Sequence, residues 1–210
     1  MVAKGFSQKL GIDYDETFAP TPHASSIRLL LATAVQEDLD ILHFDAEQAF
    51  IQSNLEEEIY MRLPPGCGST SGKTVKLHRS LYGRKQAGRC WNYLLVEKLT
   101  QFGFERSLAD PCIFRVRKGN KVTMVLAVHV NDMIVAGTED DCKALHKFLN
   151  ENFPTNNLGE LTHYMGCSFA RNRKEGTLTM SQESSIEKLT ERFHVTKTNP
   201  IHPCMPVCGT

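Results

Sequence analysis

The sequence contains no hydrophobic run near the ~20 residues that a membrane-spanning helix needs, so we expect no membrane insertion. It also has no excess of either charge, because 24 basic residues balance 24 acidic ones. A neutral chain has no overall attraction to nucleic acid, and binding of DNA or RNA would require a local basic groove. The first residues show no apolar segment of a secretory signal, which predicts a protein that is not secreted.

The seven cysteines are odd in number and irregularly spaced, which does not indicate a disulfide framework. We therefore expect free thiols in a reducing intracellular setting, the cytoplasm or the nucleus. The 210 residues suffice for one domain, and a hydrophobic content of 41% is ordinary for a soluble globular protein. The sequence does not indicate an oligomeric state.

The most informative segment is His129-Val-Asn-Asp132, which lies between the apolar runs 122–128 and 133–136. Two such runs separated by a short polar pair predict a β-hairpin with its tip at Asn131-Asp132. Another apolar stretch, residues 39–45, ends in the acidic residue Asp45. A carboxylate on a rigid hairpin tip is well placed to hold a metal ion, so this pair predicts a metal site in which Asn131 supplies no charge.

The predicted elements in the middle of the chain follow the order strand, helix, strand, strand, helix, strand, at about residues 41–45, 85–102, 122–129, 132–136, 139–153 and 162–170. This is the split-βαβ pattern of an α+β fold, an antiparallel sheet with its helices on one face. The first strand and the hairpin then lie side by side at the centre of the sheet. We therefore expect Asp45 to approach the 131–132 tip.

Outside this unit, periodicity predicts a helix over residues 27–36 that is capped by Ser25-Ser26. Short strands are expected over residues 59–63, 74–77, 112–116 and 177–180. A last helix over residues 181–193 should direct Ile186, Leu189 and Phe193 inward. The tail carries His202, Cys204 and Cys208 at a loosely metal-like spacing, but its prolines and the lack of a second pair argue against zinc.

Taken together, the segments of this chain resemble the reverse transcriptase domain of copia-type LTR retrotransposon polyproteins. Any one segment is weak, whereas so many in the right order is very specific. The resemblance runs over nearly the whole chain, through residues 2–8, 11–20, 26–30, 44–50, 55–61, 64–66, 76–77, 80–83, 85–87, 109–112, 131–132, 158–161 and 165–166. It implies one reverse transcriptase domain over residues 1–210: partial fingers (about 1–38 and 51–83), a palm (about 39–50 and 84–170) and the start of a thumb (about 171–210).

The resemblance also implies a catalytic site. The family places one carboxylate on the first palm strand and two on a Tyr-Val-Asp-Asp hairpin; here Asp45 matches the first and Asp132 the last. Asn131 replaces the middle carboxylate, and His129 replaces the tyrosine. Nucleotide addition needs two Mg²⁺ ions, with Mn²⁺ as a substitute, held by carboxylates from different strands. A charge at 4 Å is worth roughly 4 kcal/mol at an effective dielectric of 20, so we expect Asn131 to slow the reaction by about a thousandfold or more.

Further residues acquire expected roles from the same resemblance. Phe50 corresponds to the steric gate beneath the sugar, with a core phenylalanine as an equal alternative. Gln86 belongs to the segment beneath the incoming nucleotide, although Arg84 and Gly88 depart from the family's Leu and Pro. Met165 and Gly166 correspond to the primer grip, with an ordinary edge strand as the alternative, and Lys85 and Arg89 are expected to reach phosphates or to be solvated helix charges. The implied partners are an RNA template, a DNA primer and a dNTP.

The sequence leaves two alternatives to an impaired polymerase open. The chain is either an impaired RNA-directed DNA polymerase or a catalytically dead, retroelement-derived nucleic-acid-binding or interaction module, and a fragment without function is a third alternative. Glu47 lies two residues beyond Asp45 and would share its strand face if the strand continued, so that it could compensate for Asn131. A surface carboxylate is the competing interpretation of Glu47.

Overall fold

The computed structural model describes residues 2–195, except for the side chain of Glu56. Five α-helices are present in this part of the chain: α1 (Ala24–Gln36), α2 (Ala49–Gln52), α3 (Ala87–Phe102), α4 (Glu139–Asn152) and α5 (Glu183–Arg192). Two short 3₁₀ helices lie at Gly5–Ser7 and Gly68–Thr70. Its strands are β1 (Asp40–Ala46), β2 (Asn54–Arg62), β3 (Thr74–Arg79), β4 (Glu105–Arg106), β5 (Ile113–Lys118), β6 (Lys121–His129), β7 (Asp132–Gly137), β8 (Thr155–Glu160), β9 (His163–Tyr164), β10 (Cys167–Asn172) and β11 (Thr177–Ser181). This is a mixed α/β protein with antiparallel sheets.

The central sheet has six strands in the order β4-β5-β6-β7-β1-β8, and all neighbours are antiparallel. β1 and β7 are inner strands, which explains their apolar sequences. Side chains of a strand alternate between the two faces of the sheet. Phe44, Met133 and Val135 point to one face with α3 and α4, whereas Ile41 and Ile134 point to the other face with α1.

Both faces of the central sheet are covered, which corrects the prediction of helices on one face only. Leu30 and Leu31 of α1 are buried in the second hydrophobic cluster, together with Leu161, Tyr164 and Phe169 from the segment that follows β8. The helix predicted from the periodicity of residues 27–36 is confirmed as α1. It starts earlier than predicted, with His23 rather than Ser25 or Ser26 at the N-cap.

The hairpin forms as predicted, but its tip lies one residue earlier. His129 of β6 pairs with Asp132 of β7, so the two-residue turn consists of Val130 and Asn131. Asp132 is therefore the first residue of a strand rather than a turn residue. Its backbone is fixed by the register of the sheet, and Asn131 alone occupies the tip next to Val130.

The strand that ends the predicted βαββαβ order was placed wrongly. On the side away from β7, β1 pairs with β8, at Thr155–Glu160. No strand was predicted for this segment. Its sequence is polar and contains Gly159, so the apolar alternation that marks a half-buried strand is missing. The segment predicted as one strand over residues 162–170 is instead divided into β9 and the first part of β10, separated by a turn at Met165-Gly166. Both belong to a separate three-stranded sheet with β11.

The last described helix, α5, does not direct its apolar residues inward. Ile186, Leu189 and Phe193 are each more than half exposed, which overturns the prediction that they pack against the core. The periodicity identified the helix correctly, but periodicity does not reveal whether a packing partner exists. His202, Cys204 and Cys208 lie outside the described residues.

The N-terminal segment of the described chain contacts the loop that follows β3. The Ala3 amide donates a hydrogen bond to the carbonyl of Tyr82 at 2.7 Å. The approach is so close that a Cβ on Gly83 would lie 2.3 Å from the Ala3 carbonyl oxygen, and Gly83 has φ +87°. Only glycine fits this position. Within residues 2–195, no helix is long and apolar enough to cross a membrane.

Candidate active site

Asp45 and Asp132 lie directly opposite each other in the sheet. Asp45 is the penultimate residue of β1, and its partner in the register of β7 is Asp132. Both side chains are on the face of the sheet that carries Ile41 and Ile134, beyond the end of the hydrophobic cluster, and both are partly exposed. The sheet register thus brings together the two carboxylates that the sequence predicted to be neighbours.

Asn131 closes over Asp45 from the hairpin tip. Its Nδ2 donates a hydrogen bond to Asp45 Oδ1 at 2.6 Å, and its backbone carbonyl accepts one from the Ala46 amide at 3.0 Å. The side-chain contact presents the amide N–H groups, which cannot bind a cation, to the carboxylate. A negatively charged residue could not make this contact with Asp45.

Asp132 is engaged by His43, a residue that the sequence analysis missed. His43 Nε2 lies 3.2 Å from Asp132 Oδ1, and the histidine side chain is largely buried. His43 is two residues before Asp45 on the same strand and therefore on the same face, a periodicity that could have identified it. Each of the two carboxylates is thus in contact with a neutral or basic side chain of this chain.

The aromatic ring of Tyr164 packs against His43. The ring of Tyr164 contacts the rings of His43 and His129 edge to face, with centroid distances of 5.7 and 6.4 Å. The Tyr164 hydroxyl is buried and has no hydrogen-bond partner in the described structure. Burial, together with the nearby Asp132 carboxylate, raises the pKa of Tyr164 above its usual value. The hydroxyl therefore stays neutral beside the carboxylate.

The residues as they stand do not make a complete site for a divalent cation. Among residues 2–195, no three His, Cys, Asp or Glu side chains lie close enough together to hold a metal ion. Glu47 does not complete the set on the face of Asp45, because β1 ends at Ala46 and Glu47 is exposed beyond it. Mg²⁺ prefers carboxylate oxygens, and only two carboxylates converge here.

Phe50 lies on the short helix α2 that follows the Asp45 strand. Its ring packs against that of Tyr82, at a centroid distance of 4.8 Å, and against the first hydrophobic cluster. The ring is partly exposed, so it has both a core contact and an open side. The gate and core interpretations of Phe50 therefore stay predictions.

Gln86 is fully buried and both ends of its amide are occupied. Its Oε1 accepts from Gln8 Nε2 at 3.0 Å, and its Nε2 donates to the Asp13 carbonyl at 2.9 Å. Gln86 thereby connects the start of α3 to the N-terminal segment.

Arg84, two residues before Gln86, is also buried, but none of its three guanidinium nitrogens has a hydrogen-bond partner in the described structure. Burial lowers the pKa of Arg84, and the negative charge of Glu57 opposes that shift.

Lys85 and Arg89 both bind groups of this chain. Lys85 Nζ donates to the Tyr14 hydroxyl at 3.0 Å and lies over the Tyr14 ring. Arg89 forms an ion pair with Glu16 at 2.8 Å and lies over the ring of Tyr93. To reach phosphates, either side chain would have to exchange these exposed contacts, which are individually weak.

Met165 and Gly166 form the tight turn between β9 and β10. Both have positive φ, +47° and +76°, as in the two-residue turns that suit a hairpin. Ser185 Oγ donates to the Gly166 carbonyl at 3.0 Å and attaches the turn to α5. Met165 is half exposed at the tip. The primer-grip role of this turn stays a prediction.

Comparison with known proteins identifies the family. The family model described as Reverse transcriptase (RNA-dependent DNA polymerase) matches residues 1–207. The chain is 35% identical over 204 residues to the Retrovirus-related Pol polyprotein from transposon TNT 1-94 of Nicotiana tabacum, which covers 96% of this chain and 15% of that protein. It is 33% identical to the corresponding polyprotein from transposon RE1 of Arabidopsis thaliana over 206 residues, 96% of this chain and 14% of the relative.

A yeast relative is similar over a shorter stretch. The Transposon Ty1-ER2 Gag-Pol polyprotein of Saccharomyces cerevisiae is 30% identical over 158 residues, 71% of this chain and 9% of its own length. The chain thus spans about a seventh of the length of the plant polyproteins, at 15% and 14%. It belongs to the reverse transcriptase (RNA-dependent DNA polymerase) family, as a domain of the copia-type retrotransposon polyproteins.

Proposed function

We propose that this chain is an RNA-directed DNA polymerase domain in which Asn131 strongly impairs nucleotide addition. The observation that carries the proposal is the hydrogen bond from Asn131 Nδ2 to Asp45 Oδ1, in a site where Asp45 and Asp132 already face each other. An RNA template, a DNA primer and a dNTP are the proposed partners, in agreement with the family to which the chain belongs.

The strand order supports a polymerase palm. Within the central sheet, β8, β1, β7 and β6 follow one another, and α3 and α4 connect β1 towards β6 and β7 to β8. We propose that these elements form a split-βαβ unit, with β1 and the β6–β7 hairpin at its centre. We propose that this unit is the palm, that the β2–β3 sheet and the N-terminal segment are partial fingers, and that the described residues from 171 onward begin a thumb.

The proposed defect is electrostatic. A divalent ion, Mg²⁺ or Mn²⁺, would activate the primer hydroxyl and neutralise the leaving pyrophosphate. Asp45 and Asp132 are the proposed ligands, but Asn131 must rotate its amide away from Asp45 before its oxygen could join them. The missing charge is worth roughly 4 kcal/mol at 4 Å and an effective dielectric of 20. Such a loss corresponds to a rate lower by about a thousandfold.

Primer extension on an RNA template with Mg²⁺ or Mn²⁺ tests the proposal. We expect Asn131→Asp to extend the primer at least about a thousandfold faster than the unmodified chain. Asn120→Asp is the matched control, because it makes the same change of charge at the exposed turn at the opposite end of β6. Asp45→Asn in the Asn131→Asp background should abolish the activity again. Comparable rates for the unmodified chain and Asn131→Asp would refute the electrostatic argument.

A second function is favoured by the same hydrogen bond. If the site is closed by Asn131, the chain can act as a catalytically dead module that binds nucleic acid. Such a module would hold a primer–template hybrid without metal or dNTP, with an affinity that falls steeply with salt. Failure of Asn131→Asp to extend a primer, combined with salt-dependent binding of the hybrid, would favour this function over the polymerase.

A further inference from the structure

The turn that carries Asn131 is held by the tryptophan of α3. Trp91 is the single tryptophan of the sequence and is almost completely buried. Its Nε1 donates a hydrogen bond to the carbonyl of Val130 at 2.7 Å. The indole N–H is the only donor of this side chain, and a buried indole normally finds an acceptor. The acceptor here is the first residue of the two-residue turn between β6 and β7.

Val130 is in a conformation that its side chain disfavours. Its φ is +60°, in the left-handed region where β-branched residues are genuine outliers. Asn131 is not among the residues with positive φ, so the turn depends on Val130 alone for its reversal of direction. Val130 is exposed, and burial of its side chain does not account for the conformation. Such strain persists only where the surroundings over-determine it.

The ring of Trp91 is packed on several sides by buried side chains. Its ring packs edge to face against Phe153, which directly follows α4, at a centroid distance of 5.0 Å. It also belongs to the buried cluster of α3, α4 and the central sheet, with Leu95 and Val128. Because the indole is packed between α3 and the end of α4, its hydrogen bond fixes the Val130 carbonyl relative to these two helices. The next two residues are Asn131 and Asp132.

We propose that Trp91 is a positioning residue of the active site: its hydrogen bond to the Val130 carbonyl holds the strained turn, and thereby places the side chains at 131 and 132 against Asp45. This inference rests on the proposed function for its catalytic consequence only. The geometric part concerns the unmodified chain and requires neither metal nor activity.

The geometric test uses Trp91→Phe in the unmodified chain, which removes the N–H group and keeps an aromatic ring. We expect the backbone amide signals of residues 130–132 and the side-chain amide signals of Asn131 to shift or broaden in NMR spectra. Leu95→Ala is the matched control, because it also removes buried volume from α3 but leaves the indole N–H of Trp91 and its acceptor, the Val130 carbonyl, in place. Should both variants perturb the tip equally, or neither, the positioning role is refuted.

The catalytic test repeats both changes in the Asn131→Asp background. Trp91→Phe should lower kcat for primer extension by about tenfold or more and leave KM for the dNTP within about twofold, because misplacement of catalytic groups affects the reaction more than ground-state binding. Leu95→Ala should lower the melting temperature without this effect on kcat. An unchanged kcat in Trp91→Phe would overturn the catalytic part of the proposal. If Asn131→Asp itself is inactive, the proposed function fails, whereas the NMR comparison still decides whether Trp91 holds the turn.

Discussion

The central sheet and the β2–β3 sheet of the same chain differ in how deeply their residues are buried. In β7, five of the six residues are buried, and both faces of the strand are covered by hydrophobic clusters. In β3, none of the six residues is buried. Buried polar atoms without a hydrogen-bond partner occur in both regions of the described structure, at Thr123 Oγ1 in the central sheet and at the Arg84 guanidinium next to the small sheet. The residues of the candidate site are therefore supported by the well-packed region.

The difference indicates where changes in sequence are tolerated. The strands that hold Asp45 and Asp132 have a register fixed by neighbours on both sides, so we expect a change at the hairpin tip, such as Asn131→Asp, to leave the pairing of these strands unchanged. Near the β2–β3 sheet, the buried Arg84 guanidinium instead has no hydrogen-bond partner in the described structure, and the charge of Glu57 opposes the burial cost without forming a hydrogen bond. We expect mutations in the two regions to change the free energy of unfolding by different amounts, and we expect one change, at Arg84, to raise it.

The largest effect on stability is expected in the central sheet. Leu126 of β6 is fully buried, and Leu126→Ala should lower the free energy of unfolding by about 2–5 kcal/mol through lost transfer energy and a new cavity. The matched change in the small sheet, Val75→Ala, removes a partly exposed side chain and should cost less than about 1 kcal/mol. Urea denaturation of both variants measures the contrast. Equal losses would show that the two sheets are equally well packed.

The next largest effect is expected at Asp110, which ties α1 to the central sheet. This buried carboxylate accepts hydrogen bonds from the amides of His23 and Cys112 at 3.0 and 2.9 Å. Burial alone would raise the pKa of Asp110, but the hydrogen bonds from Ser26, Cys112 and His23 outweigh it and lower the pKa. Asp110→Asn should cost about 1–3 kcal/mol, whereas the exposed Asp15→Asn should cost almost nothing.

The pH dependence of the Asp110 effect has a definite sign. Because the folded-state pKa is lowered, the stabilisation is present above the usual aspartate pKa and is lost as the pH falls through the folded-state value. Asp110→Asn should therefore flatten the acid limb of the stability curve, which denaturation at several pH values can measure. An acid limb as steep as that of the unmodified chain would contradict this role.

Arg84→Leu should stabilise the protein, the opposite of the usual result of a mutation. Replacing a buried guanidinium without hydrogen-bond partners by an apolar side chain removes a desolvation cost, and we expect a gain of about 1–3 kcal/mol. The exposed Arg79 of β3 supplies the control, since Arg79→Leu should change stability little. A loss of stability in Arg84→Leu, measured by urea denaturation, would mean that the negative charge of Glu57 compensates for the burial of the guanidinium.

The smallest effect concerns two thiols of the well-packed region. Burial raises the pKa of Cys112 to about 11 and that of Cys142 to about 12. The unfolded chain loses these protons near pH 9, the ordinary value for a thiol, so stability is unaffected below that pH and falls as the pH rises above it, by about 1 kcal/mol per thiol at pH 10. Cys142→Ala should make this alkaline decline shallower. A decline of the same slope would assign it to other groups.

The sequence predicted the parts of the site that depend on apolar strands. β1, β6 and β7 are recognisable because buried inner strands have continuous apolar sequences. β8 was missed because it is a polar edge strand whose place is determined by pairing with β1 rather than by its own composition. The approach of Asp45 to Asp132 follows from topology, and the sequence analysis predicted it. Their exact cross-strand pairing became visible only in the structure.

Contacts between residues that are far apart in the chain could not be predicted from the sequence. Neither the hydrogen bond from Trp91 to Val130 nor the contact of His43 with Asp132 has a local signature, since the partners are far apart in the chain. Lys85 and Arg89 were expected to reach phosphates or to be solvated helix charges, and neither expectation reveals that Tyr14 and Glu16 engage them. The turn at Val130 was misplaced by one residue because valine is not a residue that normally indicates a positive φ.

The central claim is that the neutral amide of Asn131, and no wider damage, keeps Asp45 and Asp132 from binding a divalent cation. Calorimetric titration of Mn²⁺ into the unmodified chain and into Asn131→Asp tests it without any need for activity. We predict that Asn131→Asp binds Mn²⁺ at least about a hundredfold more tightly, a difference of about 2.7 kcal/mol. Equal affinities of the two proteins for Mn²⁺ would contradict the claim.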